Sequence, residues 1–451
     1  MRASSRSVST SRRRALVGVA ALAAVTLGLG ACSSGGSTDT GTPGASSAAP
    51  VDSTSPVTLT WWTGQTAEAE KLLEGLAAEY TKAHPNVTFN VSPGAPTTDE
   101  LKQKIAAGFV ADSYPDLSYA FGSWATELGM SGHTLDLAPR VADPAVKWDE
   151  FPEAARKTAT VENRVIGMPA LVDNLGLMYN KTVFDAAGVS YPTDQWTWDD
   201  FRAAAKKLTD PAKGVYGTAY SVSGSEDTTW HFWPLLWQNG GSVLSPDQKS
   251  AAFNSDAGVK ALETLRAMAV DDKSMYLDQT DEKYGPLMYD GKVAMIIGGP
   301  WQLYDLKDRK VDYGVTILPG TNGDHQTVSG PDIWVAFDHG DANRAAATED
   351  FLLWLTSAPI DERWNLAYGN LPIRSSEESS AAFQTWATDY APGATVFFNN
   401  LKNAKTPRPT VEGYTEMSKY VGEAIAAVLQ GQGNPKDALD AAAAKSADAL
   451  A

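Results

Sequence analysis

Gly291-Lys292-Val293-Ala294-Met295-Ile296-Ile297-Gly298-Gly299-Pro300-Trp301 is the stretch that decides how this chain folds. The apolar run Val293 to Ile297 has the length of a buried strand, and it stops on two glycines and a proline. Glycine lets backbone approach another group closely, and proline suits the first turn of a helix. A strand feeding a helix through a tight turn is therefore predicted here, and the pattern recurs on both sides. Val57 to Trp62 alternates as a strand into Thr63-Gly64-Gln65. A helix is predicted from about Thr66 to Ala83, with Leu72, Leu73, Leu76, Ala77 and Tyr80 on one face and Pro85 ending it. Val87–Val91, Pro115–Ala120, Leu175–Asn180, Tyr313–Leu318 and Ile333–Phe337 read as further strands. Asp99–Ala107, Trp198–Leu208, Ala257–Ala269 and Ala342–Thr356 read as helices. A late helix carries Met417, Val421, Ile425 and Leu429 up to Gly431, and a last one starts at Pro435. Strand–helix alternation of this kind predicts an α/β fold of sheets layered by helices.

The first 56 residues are of another kind. Arg2, Arg6, Arg12, Arg13 and Arg14 precede an uncharged run, Ala15 to Leu29, which leads to Leu29-Gly30-Ala31-Cys32. As a helix that run spans ~22 Å, short of a ~30 Å hydrocarbon core. It reads as a secretory signal (residues 1–31), not a retained span. Leu-Gly-Ala-Cys resembles the bacterial lipobox. The resemblance implies that Cys32, the only cysteine of the chain, is lipidated and becomes the new N-terminus. Ser11-Arg12-Arg13 also loosely resembles a twin-arginine export signal, so the route of export stays open. Ser33 to Pro56 is almost entirely Ser, Gly, Thr, Ala and Pro with no aromatic or basic residue, a composition expected to serve as a flexible linker (residues 32–56). The expected location is outside the cell, anchored by lipid to the outer face of the bacterial cytoplasmic membrane.

The remaining length suffices for two or three cores. Net charge is −17, and the leader holds five arginines and no acid, so the body alone is more acidic still. That argues against nucleic acid as a partner. No P-loop, G-x-S-x-G or H-E-x-x-H motif occurs, and none of the five histidines has a metal-ligand spacing to another. No cofactor or metal is expected. A glycosidase needs only two suitably spaced carboxylates, which a sequence does not reveal. The chain holds 14 tryptophans, many beside Gly, Pro or polar residues, as in Trp61-Trp62-Thr63-Gly64, Gly122-Ser123-Trp124 and Trp230-His231-Phe232-Trp233-Pro234. Some must be core, Trp354 among them. Those in loops after strands are candidates for a binding surface.

The 291–301 stretch, followed by Tyr313-Gly314-Val315-Thr316-Ile317-Leu318-Pro319, resembles the strand-to-helix signature of extracellular solute-binding proteins of ABC sugar importers. Pro169 to Lys181, Trp233 to Gly241 and Gly369-Asn370-Leu371-Pro372-Ile373-Arg374 match in order, within the maltose-binding group. The resemblance implies a periplasmic-binding-protein-like fold, with two α/β lobes hinged around a cleft. Lobe one is expected over residues 57–168 and 330–371, lobe two over 169–329 and 372–451. It further implies a monomer that is not an enzyme, a carbohydrate ligand (a mono- or oligosaccharide) and a membrane permease as partner. The same fold carrying a glycerophosphodiester or polyol, and a secreted glycosidase, remain as alternatives.

A pyranose presents C–H groups on its ring face and hydroxyls on its rim, so its site interleaves flat aromatics with short polar side chains. Trp301, after the Gly-Gly-Pro turn, is the expected stacking platform, with Trp230 next. The resemblance places Trp62 and Gln65 on the wall of lobe one. Phe121, Ser123 and Trp124 stand where the maltose group carries an acidic and a basic residue, which argues for a guest other than maltose. Asp173, at the first crossover, is the expected carboxylate partner of hydroxyls, and Asp332 a second. Arg374 and Glu412 are weaker candidates.

Overall fold

The structure, a computed structural model, describes residues 55–450 apart from Thr66, Pro392 and Pro407. The signal segment, Cys32 and the linker as far as residue 54 lie outside the described residues.

Two separate groups of strands organise the body. The first is a five-stranded sheet in the order Val87–Ser92, Val57–Trp62, Leu117–Ala120, Asp332–Ala336, Gly167–Leu171. Val57–Trp62 pairs in parallel with both of its neighbours, while Asp332–Ala336 runs antiparallel to the strands on either side of it. In the second group Gly176–Asn180 lies between Met295–Gly298 and Tyr313–Thr316, antiparallel to both. Thr218–Ser221 and Met275–Asp278 form a parallel pair nearby.

Both faces of the five-stranded sheet are covered. Trp61 faces Trp334 and Phe351, at ring distances of 5.3 and 5.2 Å. Its neighbour Trp62, on the opposite face as strand geometry requires, packs with Leu101 and Ile105 of the helix Thr98–Ala111. In lobe two the largest core gathers Trp233, Phe232, Leu236 and Phe253 with Met417, Val421 and Ile425 of the helix Tyr414–Leu429. That helix is the late apolar stripe read from the sequence. The helix Trp198–Leu208 begins where expected: Thr197 Oγ1 accepts from the Asp200 N–H, and the Thr197 N–H donates back to Asp200 Oδ2 at 2.9 Å. Asp256–Arg266 continues into a wider π-type turn over Ala267–Asp271, which the sequence pattern does not announce.

The first two crossings lie side by side. Asn174 and Ser329 are joined as an antiparallel bridge, and the Leu175 N–H donates to Thr327 Oγ1 at 3.2 Å. Since Gly167–Leu171 is still a strand of the first sheet, the chain leaves that sheet after Leu171, slightly later than Pro169. The third crossing also comes late. Leu366 and Leu371 reach over to the core built on Gly176–Asn180, but Ile373 returns to the first core. Arg374 is tied to Thr356 and Val146, and Phe383 and Trp386 belong to lobe two. The passage therefore falls between Arg374 and Phe383, not at Leu371. This detour of residues 366–371 brings Tyr368 and Asn370 to the space between the lobes.

Candidate functional site

The parallel strands of the first sheet end toward the same space as Ser221, Asp278 and Gly298 of lobe two. A cleft of about 680 Å³ opens there, where α/β sheets commonly bind ligands. Six of the nine residues singled out for solute contact line it: Gln65, Phe121, Asp173, Trp230, Trp301 and Asp332. Trp62, Ser123 and Trp124 do not. Trp62 is buried under the helix Thr98–Ala111 with Lys104 Nζ 4.1 Å from its ring centre, and Trp124, 1% exposed, turns back into the same core. Ser123 is buried in the turn Gly122–Trp124. A sheet covered on both faces takes in both members of the Trp61-Trp62 pair, so neither is left for a solute. Arg374 is also buried away from the cleft, bonded to backbone carbonyls.

Trp301 is a part-exposed ring of the cleft, as are Phe121, Tyr304 and Tyr368. It follows a strand end at Gly298, and its indole folds back over Gly299, where an added Cβ would fall 1.9 Å from the ring. Only glycine leaves that space. Tyr304, one helical turn further on, meets Tyr368 of the 366–371 detour at 5.0 Å between ring centres. Trp230 differs, because the Arg408 guanidinium lies 4.1 Å over its ring and occupies one face.

Arg408 organises the cleft floor, and sequence reasoning missed it. Its Nη1 donates to Glu226 Oε1 at 2.8 Å, and its Nη2 stands 3.7 Å from Asp332 Oδ1. Glu226 also accepts from the hydroxyls of Tyr414 at 2.9 Å and Ser418 at 2.5 Å. Asp332 accepts from the Tyr119 hydroxyl at 2.5 Å and the Gly122 N–H at 3.0 Å. The guanidinium thus joins a carboxylate of lobe two to one of lobe one. Gly330 makes room for it, since a Cβ there would fall 2.5 Å from Arg408 Nη2 and 2.6 Å from the Trp230 ring. The sequence signals for these residues are slight: Glu226 follows Ser223-Gly224-Ser225, and Arg408 stands between two prolines.

Burial pushes the Asp332 carboxyl up to about 6 against the pull of Arg408. Asp173 is pushed well above the usual carboxylate range, first by burial and then by the neighbouring Asp332 charge, while Arg408 and the Gly330 backbone oppose. Asp173 Oδ1 has no hydrogen-bond partner among the described residues. The sequence pictured an ionised acid at this position. Burial and the neighbouring Asp332 charge favour the protonated form, which can donate one hydrogen bond and accept others.

On the lobe-two wall, Asp281 accepts from Ser223 Oγ at 2.8 Å and Ser225 Oγ at 2.6 Å, and also from Ser221. Burial pushes Asp227 up to about 6, opposed by His231. Among the described residues lining the cleft Arg408 is the one cation, and Glu226 and Asp332 already engage it.

Known proteins of similar sequence or shape fit this geometry. A Streptomyces antibioticus protein described as an uncharacterized lipoprotein in the oleD 5' region is 27% identical over 397 residues, 84% of this chain and 83% of its own. The cyclic alpha-maltosyl-1,6-maltose binding protein from Arthrobacter globiformis superposes with a TM-score of 0.71 at 26% identity, over 88% of this chain and 99% of that one. UgpB from Mycobacterium tuberculosis, solved with glycerophosphocholine, has a TM-score of 0.76 at 17% identity, over 88% and 98%, and so shares the fold. The two-lobed α/β architecture is common to this chain and the two solved structures. Residues 63–362 match the family model of the bacterial extracellular solute-binding proteins, and the chain belongs to that family.

Proposed function

We propose that this protein captures a neutral carbohydrate, a mono- or oligosaccharide, between its lobes and hands it to the permease of an ABC importer. The observation that carries this reading is the part-exposed Trp301 ring facing a cleft of carboxyl, amide and hydroxyl groups whose single cation is already engaged. A ring face can stack on an indole while the rim hydroxyls meet Asp173 and its neighbours. A phosphodiester would need a free cation or an open set of N–H donors. Arg408 is committed to two carboxylates, which weighs against a guest like that of UgpB. In the proposed cycle closure pivots on the paired crossings at Asn174 and Ser329, and solute favours the closed form by its differential affinity for it.

A thermal-shift screen of residues 57–451 tests the reading. Maltose, maltotriose, other mono- and disaccharides, ribitol and glycerophosphocholine are compared. A saccharide is expected to raise the melting point by several degrees and glycerophosphocholine to leave it unchanged. The reverse pattern would replace the sugar with a phosphodiester, and steady release of cleaved sugar would make the protein an enzyme.

We further propose that Cys32 carries the lipid that holds the body at the outer membrane face, in keeping with the lipoprotein description of the Streptomyces relative. In cells expressing the full chain, Cys32→Ser is expected to move the protein from the membrane fraction to the medium and to abolish labelling by radioactive palmitate. Unchanged fractionation and labelling would remove the anchor.

A further inference from the structure

Behind the cleft lies a buried chain of polar side chains that the solute reading does not use. Asn370 lines the cleft, and its Nδ2 donates to Asn365 Oδ1 at 3.3 Å. Asn365, wholly buried, donates from its Nδ2 to the Ala170 carbonyl and to Asp361 Oδ1, both at 2.9 Å. Asp361 is also wholly buried. Its other oxygen, Oδ2, and Glu377 Oε1 find no donor on any other described residue, and the two carboxyls are within hydrogen-bonding reach of each other. Glu377 Oε2 is taken up by the N–H groups of Ile373 at 3.0 Å and Arg374 at 3.4 Å.

The direction of every bond in this chain is fixed. Asn365 meets two acceptors with its amide nitrogen, so its oxygen must face Asn370 and can only accept. Asn370 must then present its nitrogen inward, which leaves its oxygen for the cleft. At the far end two buried carboxyls meet, each with an unpartnered oxygen, and burial favours one proton shared between them. The backbone holds Asn370 in place as well. Gly369 has φ +81°, and a Cβ on it would fall 2.7 Å from the Pro300 carbonyl, next to Trp301.

We propose that Asn370 is a specificity-determining residue of the cleft, accepting a hydrogen bond from a solute hydroxyl through Oδ1, and that the proton shared by Asp361 and Glu377 holds its amide in that orientation through Asn365. The role assigned to the solute hydroxyl rests on the saccharide reading; the relay does not. Asn370 reads donors only and rejects a solute that offers an ether or carbonyl oxygen there. Asp361, Glu377 and Asn365 are positioning residues.

The relay also makes the site sensitive to pH. Burial raises both acids, Glu377 to about 7, and the Glu377 charge raises Asp361 further. The charged groups facing the pair are Arg374, which lowers both, and Glu362, which raises Glu377. Glu150 meets Arg374 at 3.5 Å and is itself paired with Lys147 at 3.2 Å. A carboxyl raised by folding is stabilising in its protonated form, so the contribution is present at low pH and is lost as pH rises through the folded value. Above that value the pair carries two charges and repels, which is expected to shift the Asp361 carboxyl against Asn365 and loosen the relay.

Two readouts test this. The first needs no solute: side-chain amide NMR of Asn-labelled protein from pH 5 to pH 9. The Asn365 and Asn370 NH₂ signals are expected to titrate together in the wild type and to stay flat in Asp361→Asn. The asparagine at 361 keeps an acceptor toward Asn365 and meets Glu377 with an N–H in place of the shared proton. An Asn370 signal that does not move, or that moves equally in the variant, overturns the relay. The second readout is calorimetric titration with maltotriose, or with the saccharide giving the largest thermal shift. Asn370→Leu is expected to lose about tenfold in affinity, the worth of one buried hydrogen bond. Wild-type affinity is expected to fall between pH 6 and pH 9, and that of Asp361→Asn to stay level. Unchanged affinity in Asn370→Leu overturns the subsite. A titrating amide in a protein that binds no saccharide leaves the relay standing and overturns the sugar reading and, with it, the hydroxyl assigned to Asn370.

Discussion

Replacing Arg408 by alanine is expected to destabilise the protein by about 3–5 kcal/mol, the cost of leaving buried carboxylates without their cation. Glu226 would keep the Tyr414 and Ser418 hydroxyls and Asp332 the Tyr119 hydroxyl and Gly122 N–H, but each would lose its opposite charge. The Trp230 ring would also lose the guanidinium that covers it. Urea denaturation monitored by tryptophan fluorescence reads the change. Removing charge from both sides, in Arg408→Met with Glu226→Gln, is expected to recover a good part of the loss, since a neutral packed pair avoids the buried, unpaired carboxylate. An Arg408→Ala protein as stable as the wild type would mean that the guanidinium is solvated in solution and does not join the lobes.

The second large effect concerns solute capture. Trp301→Ala is expected to weaken saccharide binding by at least about 2 kcal/mol, roughly thirtyfold in Kd, as removal of a central aromatic contact does at binding hot spots. The unliganded melting point should stay close to that of the wild type, because the ring is only partly packed on the lobe-two core. Asp173 separates two versions of the site. Burial favours its protonated form and one oxygen lacks a partner, so Asp173→Asn, a neutral donor and acceptor of the same shape, is expected to keep most of the affinity. Asp173→Ala is expected to lose it. If asparagine fails as badly as alanine, the bound state uses an ionised carboxylate, and binding should strengthen with rising pH. If Trp301→Ala and Asp173→Ala both bind at wild-type strength, the solute rests elsewhere.

Much of this molecule is legible in one dimension, and what is not follows a pattern. Helices with a clear apolar face and a cap are predicted to within a few residues: Trp198–Leu208 begins on its Thr197 capping box, and Tyr414–Leu429 stops two residues before Gly431. The glycine-proline turn before Trp301 is also readable, since only glycine at 299 tolerates the ring folded over it. Trp62 and Trp124 mislead because composition alone does not say whether one face of a sheet or both are covered. Arg408 and Glu226 are hidden for a different reason. They lie 182 residues apart, and neither has meaning without the other. Asn370 sits inside a stretch quoted for its resemblance, yet its orientation depends on Asn365, Asp361 and Glu377, whose partnership no local pattern marks.

Asp332–Ala336, which lies between Leu117–Ala120 and Gly167–Leu171, gives assembly a fixed schedule. The hydrogen-bonding rim of Leu117–Ala120 stays vacant until more than two hundred further residues have left the ribosome. The first sheet is thus kept unfinished until the last quarter or so of the chain arrives. Non-local closure of this sort is slow and leaves an aggregation-prone rim in the interim. A chain cut short before this strand is expected to aggregate rather than fold.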